Sequence, residues 1–96
     1  MTLDLTSQGE YLELYRWLSE LLYRYDPIGL AVAGAPKDEY EPEVGTIIPR
    51  LRDVTSQDDV CRVIHEEFVR WFGEGTAGPG LAYKEIADDI WNRLTR

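Results

Sequence analysis

"TSQGEYLELYRWLSELLYRY", residues 6–25, reads as one amphipathic helix. Tyr11, Leu14, Tyr15, Leu18, Leu21, Leu22 and Tyr25 recur every three or four residues, the spacing that brings side chains onto one side of an α-helix. Thr6 or Ser7 is suited to cap its start, and Asp26-Pro27 supplies a stop. Arg16, Glu20 and Arg24 form an i, i+4 ladder on the opposite face, worth about 0.2–0.5 kcal/mol per pair. Trp17, Leu12 and Tyr23 flank the apolar stripe and widen the buried face or stay partly exposed. A helix with such a face needs others to lie against, and the rest of the chain supplies them.

Three further segments carry the same periodicity. In "PEVGTIIPRLRDV" (42–54), Pro42 suits the first helical position, where its missing N–H costs nothing, and Val44, Ile47, Ile48 and Leu51 make the apolar face. Pro49 should kink this helix or break it into two turns, because proline removes a backbone bond and crowds the preceding turn. The third helix opens at "SQDD", where Ser56 and Asp59 fit a capping pattern, and it closes at Gly73. Val60, Ile64, Phe68 and Trp71 form its central stripe, with Cys61 and Phe72 alongside. The fourth, "LAYKEIADDIWNRL", turns Tyr83, Ile86, Ala87, Ile90 and Leu94 to one side. No stretch alternates as a strand would. The expected fold is therefore all-α: one domain over residues 1–96, a compact bundle of about four helices (7–25, 42–53, 57–72 and 81–95). A long loop containing proline and glycine joins helices 1 and 2.

Charge excludes more functions than length does. Eighteen acidic residues against ten basic ones leave a net charge of −8, the wrong sign for a nucleic-acid backbone or an anionic membrane surface. The same charge favours basic partners. Hydrophobic content of 44% and charged content of 29% fit a globular chain, not a disordered one. Cys61 is the only cysteine, so an internal disulfide and a cysteine-rich zinc framework are both excluded. The first residues carry no basic flank before an apolar run, and no stretch is long enough to span a bilayer. A soluble cytoplasmic protein is expected.

Several motifs invite chemistry and give it little support. Gly73, Gly75 and Gly78 of "GEGTAGPG" satisfy G-x-G-x-x-G, yet that fingerprint requires a strand before it and a helix opening from it. An ordinary flexible loop is expected. Cys61 and His65 lie at i, i+4, but nothing supplies an orienting group, so a core cysteine beside a boundary histidine is the reading. Asp38, Glu39, Glu41 and Glu43 do not match a calcium loop. No catalytic residue, cofactor or metal is assigned. Glu66–Glu67 and Asp88–Asp89 read as helix-surface charges, some opposed by Arg70 and Arg93, and Trp17, Trp71 and Trp91 as core residues, Trp91 near the edge.

The segment "DPIGLAVAGAPKDEYEPEV", residues 26–44, is left over. Glu41 and Glu43 flank Pro42, where carboxylates meet the positive end of a helix dipole. Asp38 and Glu39 lack that reason and stand beside Tyr40. An aromatic ring with acids around it has the parts of a hot spot for a basic partner. Asp38, Glu39, Tyr40 and Glu41 are the candidate partner-binding residues; the competing reading packs Tyr40 on the core and leaves the acids solvated.

The helix ending in D-P-I-x-L (Asp26, Pro27, Ile28, Leu30), the motif D-E-Y-x-x-E-V (Asp38, Glu39, Tyr40, Glu43, Val44) and the aromatic pair Trp71–Phe72 together resemble the YugE-like family of small bacterial proteins of uncharacterised function. The resemblance runs from about Tyr11 to Phe72. It implies a compact all-α fold but supplies no enzyme activity and no catalytic residues, so it carries no functional residue over. Pro49 and the glycine-rich 73–80 segment are not part of the pattern. Size and acidity further suggest, by analogy alone, immunity proteins that present Asp, Glu and Tyr to basic toxins. The leading expectation is a non-enzymatic interaction module, of an immunity or antitoxin kind, that binds a basic protein. The alternatives are a small metal-dependent or carboxylate-using enzyme, and a homodimer joined through Trp17, Tyr23 and Trp91.

Overall fold

The computed structural model describes residues 8–96, and among these there is no β-strand. Helix α1 spans Gln8–Tyr25, α2 Glu41–Leu51, α3 Gln57–Phe72 and α5 Lys84–Leu94. A single helical turn, α4 (Glu74–Ala77), and a 3-10 turn at Gly80–Tyr83 lie between α3 and α5. The all-α expectation is met. The caps expected at Thr6 or Ser7 lie outside the described residues.

The four long helices pack as a closed ring. Helix α1 lies against α2 and α5, while α3 lies against α2 and α5 from the opposite corner, and the backbones of the diagonal pairs stand farther apart. The radius of gyration is 12.7 Å, close to the ~12.5 Å expected of a packed domain of this length. Leu14, Leu18, Leu21 and Leu22 of α1 meet Val44, Ile47, Ile48 and Leu51 of α2 in one core with Val60, Ile64 and Phe68 of α3 and Ile86, Ala87 and Ile90 of α5. Most of these side chains were placed on the apolar faces by periodicity alone.

Three local features depart from expectation. Helix α2 runs through Pro49 without a break and ends two residues later at Leu51. The proline lies in the last turn, so only one backbone bond, to the carbonyl of Gly45, is forgone there. The 73–80 segment is no flexible loop: α4 occupies half of it, Ala77 is buried, and the Tyr83 hydroxyl donates to the Ala77 carbonyl. Helix α5 consequently starts at Lys84, behind the 3-10 turn, instead of at residue 81. The stops and caps otherwise follow the sequence. Gly73 ends α3 with its N–H on the Val69 carbonyl at 2.8 Å, and Ser56 Oγ accepts the Asp59 N–H at 3.1 Å. The Asp59 carboxylate reaches back to the N–H of Thr55 at 2.9 Å, one residue beyond the usual reciprocal contact.

Candidate interaction surface

Asp26 decides how the 26–41 segment is held. It ends α1 at a positive φ of 52°, its own N–H on the Leu22 carbonyl at 2.7 Å. Glycine usually takes this position, and aspartate is one of the few others that tolerate it. Its carboxylate then gathers the segment: Oδ1 accepts the Ala31 N–H at 2.9 Å and the Tyr40 hydroxyl at 2.7 Å, and Oδ2 accepts the Val32 N–H at 3.0 Å. The Tyr40 hydroxyl also accepts the Ile28 N–H at 3.2 Å. Burial opposes ionisation of Asp26, but these donors together with the Leu30 N–H hold its carboxyl below the usual range. Successive turns, Gly29 onto Asp26, Gly34 onto Ala31 and Glu39 onto Pro36, fill the rest of the segment. It is a hydrogen-bonded strap.

Tyr40 therefore does not face solvent. Its ring is 0% exposed and stacks on Phe68 with centroids 6.0 Å apart. Burial, then the adjacent Asp26 carboxylate, pushes its hydroxyl well above the ordinary tyrosine pKa. The expectation of a surface aromatic at Tyr40 is corrected: the ring fills the core while its hydroxyl meets the half-buried Asp26 carboxylate. Asp38 and Glu39 are exposed, and among the described residues neither forms an ion pair. Glu41 is half-buried; the Tyr15 hydroxyl lies 3.2 Å from its carbonyl and 3.4 Å from its Oε1. The four residues are contiguous, but only the acids present themselves to solvent.

Glu43 behaves differently from its neighbours. It is only 3% exposed, and its Oε2 has no hydrogen-bond partner among the described residues. Burial, with the Glu39 charge adding to it, raises its pKa above the usual glutamate value. A helix-start charge was expected here; the position is right, but the side chain turns inward.

Glu67 is the second buried carboxylate. It is 0% exposed, and it holds Arg50 at 2.8 Å and Arg70 at 3.3 Å. Arg50 also pairs with Glu66 at 2.5 Å. Burial works against ionisation of Glu67, but hydrogen bonds from Arg50 and Thr46 and the charge of Arg70 keep its pKa low. The surface reading of Glu66–Glu67 is half right. Glu67 stands three residues after Ile64 and four after Val63, the spacing of a core position, and that spacing was the signal overlooked.

Trp71 reverses the other way. It continues the α3 stripe yet is 46% exposed, in the last turn of α3. Its indole N–H donates to Thr46 Oγ1 at 3.0 Å. Trp17 and Trp91 pack half-buried against the core, Trp17 under the Arg93 guanidinium at 4.7 Å. Tyr23 donates to the Ala35 carbonyl at 2.9 Å, tying α1 to the strap.

The remaining chemistry is structural in form. Cys61 Sγ lies 3.5 Å from the Gly80 carbonyl, and His65 Nε2 lies 2.9 Å from that of Gly78. The two side chains pin the 78–80 segment; they do not pair as nucleophile and base. Burial, then the charge of Asp58, pushes the Cys61 thiol up, away from the thiolate a nucleophile needs. Of the three fingerprint glycines, Gly73 (φ 84°, ψ 161°) and Gly78 (φ 77°, ψ −171°) occupy backbone that only glycine enters readily. Chain geometry accounts for them without a phosphate. Among the described residues no three His, Cys, Asp or Glu side chains converge as a metal site would, and no helix is long and apolar enough to cross a membrane.

Fold and surface together define a small acidic four-helix bundle with a clasped acidic strap. No family model, curated protein or solved structure matches the chain.

Proposed function

We propose that the protein is a non-enzymatic interaction module that binds a basic protein partner, with Asp38, Glu39 and Glu41 as the contacting acids. The observation that carries this reading is that Asp38 and Glu39 stand exposed and, among the described residues, without an ion pair at the end of a strap fixed by the Asp26–Tyr40 hydrogen bond. Charges held in place lose little freedom on binding, so they steer and orient a cationic partner at low entropic cost. The net charge of −8 extends the attraction beyond contact. An immunity or antitoxin role fits this chemistry, as does the YugE-like resemblance, whose two motifs contribute Asp26 and Tyr40 to one hydrogen bond.

The test is affinity capture from the native cell, followed by calorimetry with the purified partner. Wild type is compared with Asp38→Asn/Glu39→Gln/Glu41→Gln. The expected result is a basic partner whose affinity falls with the triple change and with salt raised to about 0.5 M, where exposed charge pairs are strongly screened. Equal affinity of both proteins, unchanged by salt, would refute the strap as the binding site.

A further inference from the structure

The strap leaves two facts unexplained: a buried carboxylate without a partner and an exposed tryptophan fixed in orientation. Both belong to the face that α2 and α3 share. Thr46 meets Trp71 and Arg50 meets Glu67, so rising numbers on α2 oppose falling numbers on α3 and the two helices run antiparallel. Along α2, Glu43, Thr46 and Arg50 follow at spacings of three and four, one continuous row. Thr46 stands between the two. Its hydroxyl accepts the Trp71 N–H at 3.0 Å and lies 3.0 Å from the backbone carbonyl of Glu43, one turn earlier on the row.

We propose that this face seats a cationic side chain of the partner protein, an arginine or lysine that lies on the Trp71 ring and pairs with the Glu43 carboxylate. The inference rests on the basic-partner reading above and adds an anchor to it. Trp71 is the one aromatic residue among the large exposed hydrophobics of the described chain. Its bond to Thr46 fixes the ring before any partner arrives, and tryptophan is the best aromatic acceptor for a cation. Among the described residues Glu43 forms no ion pair. Arg50, the cation on its own row, is already held by Glu66 and Glu67, and the charge that acts on Glu43 is Glu39, of the same sign. A carboxylate buried without a partner is costly, and an incoming cation relieves that cost while a side-chain rotation opens Oε2 to it. A second copy of this chain is a poor occupant, because two bodies of charge −8 repel.

The experiment uses the full chain carrying Trp17→Phe and Trp91→Phe, which leaves Trp71 as the only tryptophan. Octa-arginine, octa-lysine and octa-glutamate peptides are titrated into it, followed by Trp71 fluorescence and by calorimetry. Saturable quenching by a basic peptide and none by octa-glutamate is expected. Glu43→Gln and Trp71→Leu should each weaken binding at least about tenfold, with Trp71→Phe intermediate, as for a central anchor. Carbon-13 NMR should show the Glu43 carboxyl titrating at lower pH in the complex than in the free protein. Basic peptides that bind both variants as tightly as wild type overturn the anchor. If those same peptides are lost by the Asp38/Glu39/Glu41 triple change, the strap reading stands without it. Failure of every basic peptide to bind overturns both.

Discussion

Asp26 carries two duties, ending α1 at positive φ and receiving the Tyr40 hydroxyl. Removing the hydroxyl takes one donor from the half-buried Asp26 carboxylate. Tyr40→Phe should therefore cost about 1.5–3 kcal/mol in urea unfolding, the order of a hydrogen bond to a charged group. Asp26→Ala should cost more than Tyr40→Phe, because alanine also resists the positive φ. Glu43 predicts the reverse sign. Its folded-state pKa is raised, so the folded state holds its proton more tightly than the unfolded chain does. Stability from this group is full below the unfolded value and lost as pH rises through the folded one. Glu43→Gln should be more stable than wild type near pH 8, and that advantage should shrink toward pH 4. Thermal melts of both proteins across that span would reveal it; a constant difference would refute the sign.

Helix α3 shows what periodicity can and cannot reveal. The spacing that marks Ile64 and Phe68 as core also marks Glu67, and residue type argued against it. Position prevailed because Arg50 reaches in from α2 to pair with the buried carboxylate. Trp71 has the right spacing and residue type, yet in the last turn of α3 it stays half-exposed with its indole N–H on Thr46, a contact across helices that no local pattern supplies. The Tyr40 clasp was equally illegible, since it joins residues 14 apart through a strap of successive turns. Glu67→Ala should lower stability by about 1–3 kcal/mol, less than the ~3–5 kcal/mol of a wholly buried pair because Arg50 keeps Glu66 and some solvent. The glycines bracketing α4 give a sharper test. Gly73→Ala forces a side chain into backbone suited only to glycine and should cost about 1–3 kcal/mol. Gly75→Ala, inside α4 with open space at its Cβ position, should be neutral or slightly stabilising.

At the scale of the molecule, the fold class and the four long helices were legible because each apolar face repeats over several turns, while the link between α3 and α5 depends on one-turn elements too short to leave a period. The depressed carboxylates Asp26, Asp59 and Glu67 stabilise the fold above their unfolded values, and that contribution is lost as pH falls through the lower folded ones. The ring arrangement has a kinetic consequence. Three of its four sides join helices that are neighbours along the chain, and those form with little loop-closure cost. The fourth side, α1 against α5, brings together segments from opposite ends, stitched by the Tyr25 hydroxyl on Asp89 at 2.6 Å and by Arg93 over Trp17. That seam should close after the rate-limiting step. Tyr25→Phe would then hasten unfolding in stopped-flow measurements and leave the refolding rate nearly unchanged, so the ease of opening this protein is set where its two ends meet.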